Sequence, residues 1–208
     1  MARETSVDGA YDLKTPDDSV RLYADWAETY DQSFAESYGY IVPQQLAAIF
    51  RENASEANWP VLDIGAGTGL VGQELGGEVD AIDISAEMLE VAAAKGVYRN
   101  LIQADLTKPL EIASETYSGL ISAGTFTHGH VGPVCLRELL RIAKPGAICC
   151  LSINAQVFDS AGFGSAFAVL VADGAITPLS FRHIRHYTQE ADHDHAEDMG
   201  LVAVFSKR

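Results

Sequence analysis

Cationic residues are scarce in this 208-residue chain: 14 Lys and Arg stand against 29 Asp and Glu, a formal charge of −15. Nucleic acid and anionic membranes need a cationic surface to neutralise their phosphates, so neither is an expected partner. Long apolar runs are missing too. The longest, at 147–153 and 166–172, fall far short of the roughly 20 residues that a spanning helix needs. The first twenty residues hold no basic segment followed by an apolar one, so no secretory signal is expected. Cysteine is limited to positions 135, 149 and 150, an odd number with two adjacent, which is poor geometry for a structural disulfide. A reduced, cytoplasmic setting is the expectation. Cys149 and Cys150 lie in an apolar stretch and read as buried, inert thiols.

What is present is an apolar content of 48%, ordinary for a globular chain and enough for one continuous core. Residues 1–18 are polar and read as an arm. From Val20 the pattern turns helical, with Tyr23, Ala24 and Ala27 on one face and Tyr30 and Phe34 continuing it. Gly39 breaks that pattern. Pro43 suits the first turn of a second helix near 43–54, which sets Leu46, Ile49 and Phe50 on one side. After Asn58 strands and helices alternate. Strands are expected at 61–64, 78–82, 99–103, 117–122, 147–153, 181–187 and 201–206. Helices are expected at 85–95, 131–143 and 162–172, the second of them stopped by Lys144-Pro145-Gly146. Such alternation implies parallel pairing through right-handed crossovers, hence an α/β fold with a doubly wound, mostly parallel sheet. The N-terminal helices have no strands of their own and are expected to cap it. The reading is a single domain over 1–208, with 1–55 as arm and helical cap and 56–208 as the α/β core.

The strongest local signal is Val61-Leu62-Asp63-Ile64-Gly65-Ala66-Gly67-Thr68-Gly69. A buried strand runs into three alternating glycines and then into a helix. Such a turn needs residues that tolerate positive φ, and a ligand lying on the backbone needs positions without Cβ. The helix that follows offers unpaired N–H groups. The second strand leads to Asp83, 18 residues after Gly65, where an acid can accept hydrogen bonds from both hydroxyls of a ribose. The order strand, glycines, acid is that of a nucleoside site. Gly67-Thr68-Gly69-Leu70-Val71-Gly72 also matches the dinucleotide pattern, but its first glycine follows the strand too late, and little chain remains for a second nucleotide half. A nicotinamide oxidoreductase is therefore a competing reading.

At this point the chain resembles the class I S-adenosylmethionine-dependent methyltransferases. Asp63-x-Gly65-x-Gly67-x-Gly69 is similar to that family's first motif and Ala81-Ile82-Asp83-Ile84-Ser85 to its second. Gln103-Ala104-Asp105-Leu106 matches the strand-end acid, Tyr117–Phe126 the fourth-strand motif, and 139–146 (LLRIAKPG) the helix and turn before strand five. Tyr23-x-x-Trp26-x-x-x-Tyr30-Asp31 looks like the N-terminal stretch of small bacterial members. Ala81 and Ser118 depart from residues common in the family. The resemblance implies a seven-stranded Rossmann-like sheet whose last strand is antiparallel. It implies S-adenosyl-L-methionine as cofactor and S-adenosyl-L-homocysteine as product. It places Gly65, Ala66, Gly67, Thr68 and Gly69 around the methionine end, with Asp63 near the amino group. Asp83 would take the ribose hydroxyls, Ile84 and Met88 would lie against the adenine, and Asp105 and Leu106 would meet its amino group and ring. Ser122, Ala123 and Gly124 would line the sulfonium side, and Trp26 and Tyr30 would close a lid. The residues agree with this: no basic residue lies between 52 and 94, and a sulfonium cofactor without pyrophosphate needs none.

Methyl transfer is an in-line displacement, and a general base helps when the acceptor must lose a proton. His128 is the expected catalytic residue or substrate contact, with His130 second; both follow the fourth strand. Tyr11 reads as surface. The run Asp192-His193-Asp194-His195 with Glu197 lacks a recognised metal spacing, so no metal is expected. The acceptor is expected to be a small molecule, because the cap is small and no recognition domain is appended. The chain is expected to be a monomer or homodimer. A non-catalytic S-adenosylmethionine-binding regulatory domain is the alternative.

Overall fold

The computed structural model describes Gly9 and residues 16–208; Tyr11 lies outside the described residues. Seven strands form one sheet: β1 (Val61–Ile64), β2 (Val79–Asp83), β3 (Leu101–Gln103), β4 (Tyr117–Phe126), β5 (Ala143–Asn154), β6 (Ser180–Arg185) and β7 (Met199–Ser206). Their order is β3-β2-β1-β4-β5-β7-β6. Neighbours from β3 to β5 pair in parallel, and β7 lies antiparallel between β5 and β6. The doubly wound α/β fold with an antiparallel last strand is thus as the sequence led one to expect. Strand order reverses between β1 and β4, and a crevice opens at their carboxyl ends, where ligands bind in open α/β sheets.

Six α-helices complete the described structure: α1 (Pro16–Trp26), α2 (Val42–Asn53), α3 (Leu70–Leu75), α4 (Ala86–Lys95), α5 (Leu136–Ile142) and α6 (Phe163–Ala172). One core joins Leu62, Ile64, Leu120 and Leu151 of the sheet to Leu139 of α5 and Phe163 and Phe167 of α6. The other joins Val61, Ile121, Cys150 and Val202 to Val42, Leu46 and Phe50 of α2. Each of these large side chains contributes about 1.5–3 kcal/mol on full burial. Of the N-terminal helices, α2 packs on a face of the sheet, with Val42, Leu46 and Phe50 wholly buried. Among the described residues, α1 and a π-helical turn at Asp31–Glu36 cover the strand ends, held by Leu22, Trp26 and Phe34 against Tyr187.

Three of the shifted element boundaries have local causes. β4 runs to Phe126 because its hydrogen bonding to β5 resumes there after an irregularity between Ser122 and Phe126, where Gly124 takes φ +81°. A left-handed glycine inside a bulge reads as a loop in sequence. Gly132 and Pro133 delay the following helix: a 3₁₀ turn at Pro133–Cys135 precedes α5. β5 pairs already at Ala143, with Lys144-Pro145-Gly146 exposed within it. All three cysteines are buried and free. Burial pushes the Cys135 and Cys150 thiols up to about 12, so both stay protonated. Among the described residues no helix is long and apolar enough to cross a membrane.

Candidate active site

The crevice is built on the glycine loop after β1. Gly65 has φ +66°, and a Cβ there would stand 2.0 Å from Oγ1 of Thr125. That hydroxyl and the hydroxyl of Ser122 each donate to the Ile64 carbonyl at 2.8 Å, which stitches β4 to the strand end. Gly67, with φ +53°, turns its N–H toward Asp83, whose Oδ2 accepts at 2.8 Å. Gly69, with φ +94°, opens α3 and lies against the Tyr98 ring. Loop and acid are therefore one unit, since the carboxylate at the end of β2 fixes the loop that a ligand would touch.

Behind the loop lies Asp63, fully buried. Tyr98 donates to its Oδ2 at 2.5 Å and accepts from the Gly72 N–H at 3.2 Å. Burial pushes the Asp63 carboxyl up to about 7, against the pull of the Tyr98 bond and with the help of nearby Asp83. Burial also raises Asp83, opposed by main-chain N–H bonds from Ser85, Gly67 and Ile84. Two carboxyl groups reluctant to ionise face one region. A cation brought there would favour their charged forms.

The cavity encloses about 1030 Å³ of atom-free space, open solvent at its mouth included. Gly65, Ala66, Gly67 and Thr68 form its floor, with Asp83, Ile84 and Met88 beyond β2 and Ala104, Asp105 and Leu106 beyond β3. Ser85 caps α4 by accepting from the Met88 N–H, which sets Met88 on the cavity wall. Burial acts against ionisation of Asp105, but bonds from the Thr107 hydroxyl and main chain and from Lys108 hold it below the usual carboxylate range. Ala123, Gly124 and Thr125 close the β4 side, and Tyr23, Tyr30 and Tyr40 form the roof. Among the described residues no Lys or Arg lines it.

Asp31 latches the roof to the floor. Its Oδ1 accepts from the Thr68 hydroxyl at 2.6 Å, and its Oδ2 pairs with Lys95 at 2.5 Å. Trp26 packs against Tyr23, Tyr30 and Phe34. It is buried behind the roof and supports Tyr30, which itself meets the cavity. Gly69, Asp63 and Ser122 likewise shape the wall from behind, whereas the other residues expected around the cofactor stand on the wall.

His128 lines neither this cavity nor a second one beside it. Its carbonyl instead accepts from Nδ1 of His130 at 2.6 Å, which leaves Nε2 of His130 to receive the Tyr23 hydroxyl at 3.0 Å. His130 lines both cavities, and burial lowers its pKa, so it is neutral at pH 7. Sequence reasoning missed Tyr23 and Tyr40 as wall residues and had no means of pairing Tyr23 with a histidine 107 positions away. His193 and His195 of the acidic run contact Tyr38, Tyr187 and Asp198.

The model of the family described as methyltransferase domain matches residues 62–151. Among curated protein sequences none matches the chain significantly. Several solved structures share the fold at low identity. A methyltransferase of Thermotoga maritima, described as a possible histamine N-methyltransferase, superposes with a TM-score of 0.65 at 14% identity, covering 91% of this chain and 99% of the other. The CcbJ methyltransferase of Streptomyces caelestis gives 0.63 at 15% identity, covering 89% and 97%. An S-adenosylmethionine-dependent methyltransferase of Aquifex aeolicus gives 0.58 at 19% identity, covering 88% and 98%. The glycine loop, Asp83 and the fourth strand all fall within the matched segment, so residues 62–151 are similar to a methyltransferase domain and the chain shares the fold of these structures.

Proposed function

We propose that the chain is a single-domain methyltransferase that acts on a small-molecule acceptor and that the crevice described above holds its cofactor. One observation carries the reading: a cavity floored by a glycine-rich loop, bounded by carboxylates and tyrosine rings and, among the described residues, bare of Lys and Arg. Those residues suit an adenosine that bears a sulfonium and an ammonium group, because carboxylates and aromatic faces attract cations. A pyrophosphate would call for a different wall. When bound, S-adenosylmethionine supplies a methyl group activated by its positive sulfur.

The residues of the chain divide the work. Asp83 accepts from the ribose hydroxyls with the lone pairs that Gly67 and Ser85 leave open. Ile84, Met88 and Leu106 sandwich the adenine, and Asp105 receives its amino group. Gly65–Gly69 give the methionine end close access to main-chain N–H groups, while Asp63 supplies negative potential from behind. Ala123 and Gly124 keep the β4 side free of bulk, and Tyr30 and Tyr40 exclude water. With a hydroxyl acceptor, the bound cofactor would supply the methyl group and the residues of the chain would take up the acceptor's proton. That proton passes to the Tyr23 oxygen while Tyr23 hands its own to Nε2 of His130. His128 acts through its carbonyl, which fixes the His130 tautomer.

A crystal structure with S-adenosylhomocysteine tests the assignment. The ribose is expected within hydrogen-bond distance of Asp83 and the sulfur beside Gly124. A nucleoside bound with Asp83 turned away would overturn it.

A further inference from the structure

Beside the proposed cofactor crevice lies a second, smaller cavity, about 610 Å³ of atom-free space with its open mouth included. Gly124, His130 and the tyrosine rings of the roof line both, so the two meet at the bulge in β4. Gly124 has φ +81°, and the Tyr40 hydroxyl stands 3.3 Å from where its Cβ would be, so any larger residue would crowd the junction.

The second cavity has a distinct chemistry. Trp26, Phe126 and Tyr187 add further aromatic surface to the shared tyrosines. Among the described residues no Lys, Arg, Asp or Glu lines it, and its two histidines are neutral at pH 7: burial lowers His130 and brings His186 down to about 4. Asp198, the carboxylate nearest His186, is engaged by His195 and Gln156. One polar group on the wall stands out. Asn154, at the end of β5, is 3% exposed, and its Nδ2 has no hydrogen-bond partner among the described residues. Its Oδ1 accepts from the Gln156 N–H at 2.9 Å, which settles which end of the amide is which. A buried donor left unpaired costs about 1–3 kcal/mol, and a ligand that accepts from it recovers that cost.

We infer that this second cavity is the acceptor site and takes an uncharged aromatic molecule that offers Asn154 an accepting oxygen of the carbonyl type. The inference rests on the reading of the first cavity as the cofactor site. An anion would find no cationic partner on this wall, and a cation would find no carboxylate and would set its donors against the Asn154 amide. A flat ring fits between the aromatic side chains. Gly124 and the Tyr23–His130 pair line the same cavity as Asn154, so the other end of the molecule would face them.

Three probes that share a phenol ring separate the possibilities: 4-hydroxyacetophenone (neutral), 4-hydroxybenzoate (anionic) and tyramine (cationic). Each is titrated calorimetrically into protein saturated with S-adenosylhomocysteine. The ketone is expected to bind at least roughly tenfold more tightly than either charged probe, the scale of one buried hydrogen bond. Asn154→Ala and Asn154→Asp are each expected to weaken the ketone by roughly tenfold or more while S-adenosylhomocysteine binds as before, which also reports that the variants are folded. A charged probe that binds as tightly as the ketone overturns the inference. So does a ketone that fails to bind, or one that binds a folded Asn154 variant unchanged. Failure of S-adenosylhomocysteine to bind the unaltered protein overturns the cofactor reading, and this inference falls with it.

Discussion

Replacing Asp83 strikes the junction of loop and ligand. The carboxylate accepts from Gly67 and Ser85 in the free protein and, in the proposed complex, from two ribose hydroxyls. Asp83→Ala removes all four acceptor sites. Hydrogen bonds to a charged group contribute about 1.5–3 kcal/mol each, so loss of both ribose bonds lowers affinity by about 3–6 kcal/mol, roughly 10²–10⁴-fold. Asp83→Asn keeps one accepting oxygen and turns an NH₂ toward a main-chain N–H or the ribose; its expected loss is roughly 10–100-fold. Stability falls less. The Gly67, Ser85 and Ile84 N–H groups lose their acceptor at about 1–3 kcal/mol in total, because a carboxyl that burial keeps from ionising readily also leaves the protein. Calorimetric titration with S-adenosylhomocysteine measures the first quantity and urea denaturation the second. An alanine variant that unfolds cooperatively yet binds within threefold of the unaltered protein would refute the assignment of Asp83.

Three further outcomes follow. Gly65→Ala is expected to cost about 3 kcal/mol or more, by positive φ and by collision with Thr125. Gly67→Ala, whose Cβ meets nothing within 4 Å, is expected to cost only about 1 kcal/mol of stability but to lose most cofactor affinity. Urea titrations of the two variants check this, and equal stability would contradict it. Asp31→Ala frees the roof from Thr68 and Lys95, and the dissociation rate of S-adenosylhomocysteine, read by stopped flow, is expected to rise by roughly fivefold, about 1 kcal/mol. An unchanged rate would show that the latch does not hold the ligand. Asp63, with its carboxyl raised to about 7, is protonated below that pH in the free protein. A bound ammonium group favours its ionised form, so affinity is expected to fall as pH drops below 7, by up to about tenfold per unit, and to level off above. Titrations between pH 5.5 and 8 (roughly the span over which Asp63 changes charge) check it; a flat profile would place the ammonium group away from Asp63.

Much of the site was legible because it is local. The strand, the glycines and Asp83 lie within one β-α-β unit, and the tight turn leaves few residue types to choose from. Most of the strands were legible for a related reason: they carry an apolar run bounded by turn residues, whereas β6 (SFRHIR) is polar and largely exposed. What escaped depends on distant pairings. Val42–Asn53 reads as an amphipathic helix in sequence, and only its packing on Val61 and Ile121 fixes where on the sheet it lies. Trp26 and Tyr30 share a helical face in sequence, but α1 ends at Trp26 and the next turn is π-helical. That change of winding buries the first ring behind the second. His128 and His130 are equivalent neighbours in sequence, and the bond from the His128 carbonyl to the His130 ring sets them apart.

The central claim is that the crevice over Gly65–Gly69 and Asp83 is shaped for a cationic adenosine and not for a dinucleotide. Titrating the unaltered protein with S-adenosylhomocysteine and, separately, with NAD tests this most directly. One S-adenosylhomocysteine per chain with measurable heat, and no heat from NAD, is the expected result. Heat from NAD alone, or from neither, would contradict it.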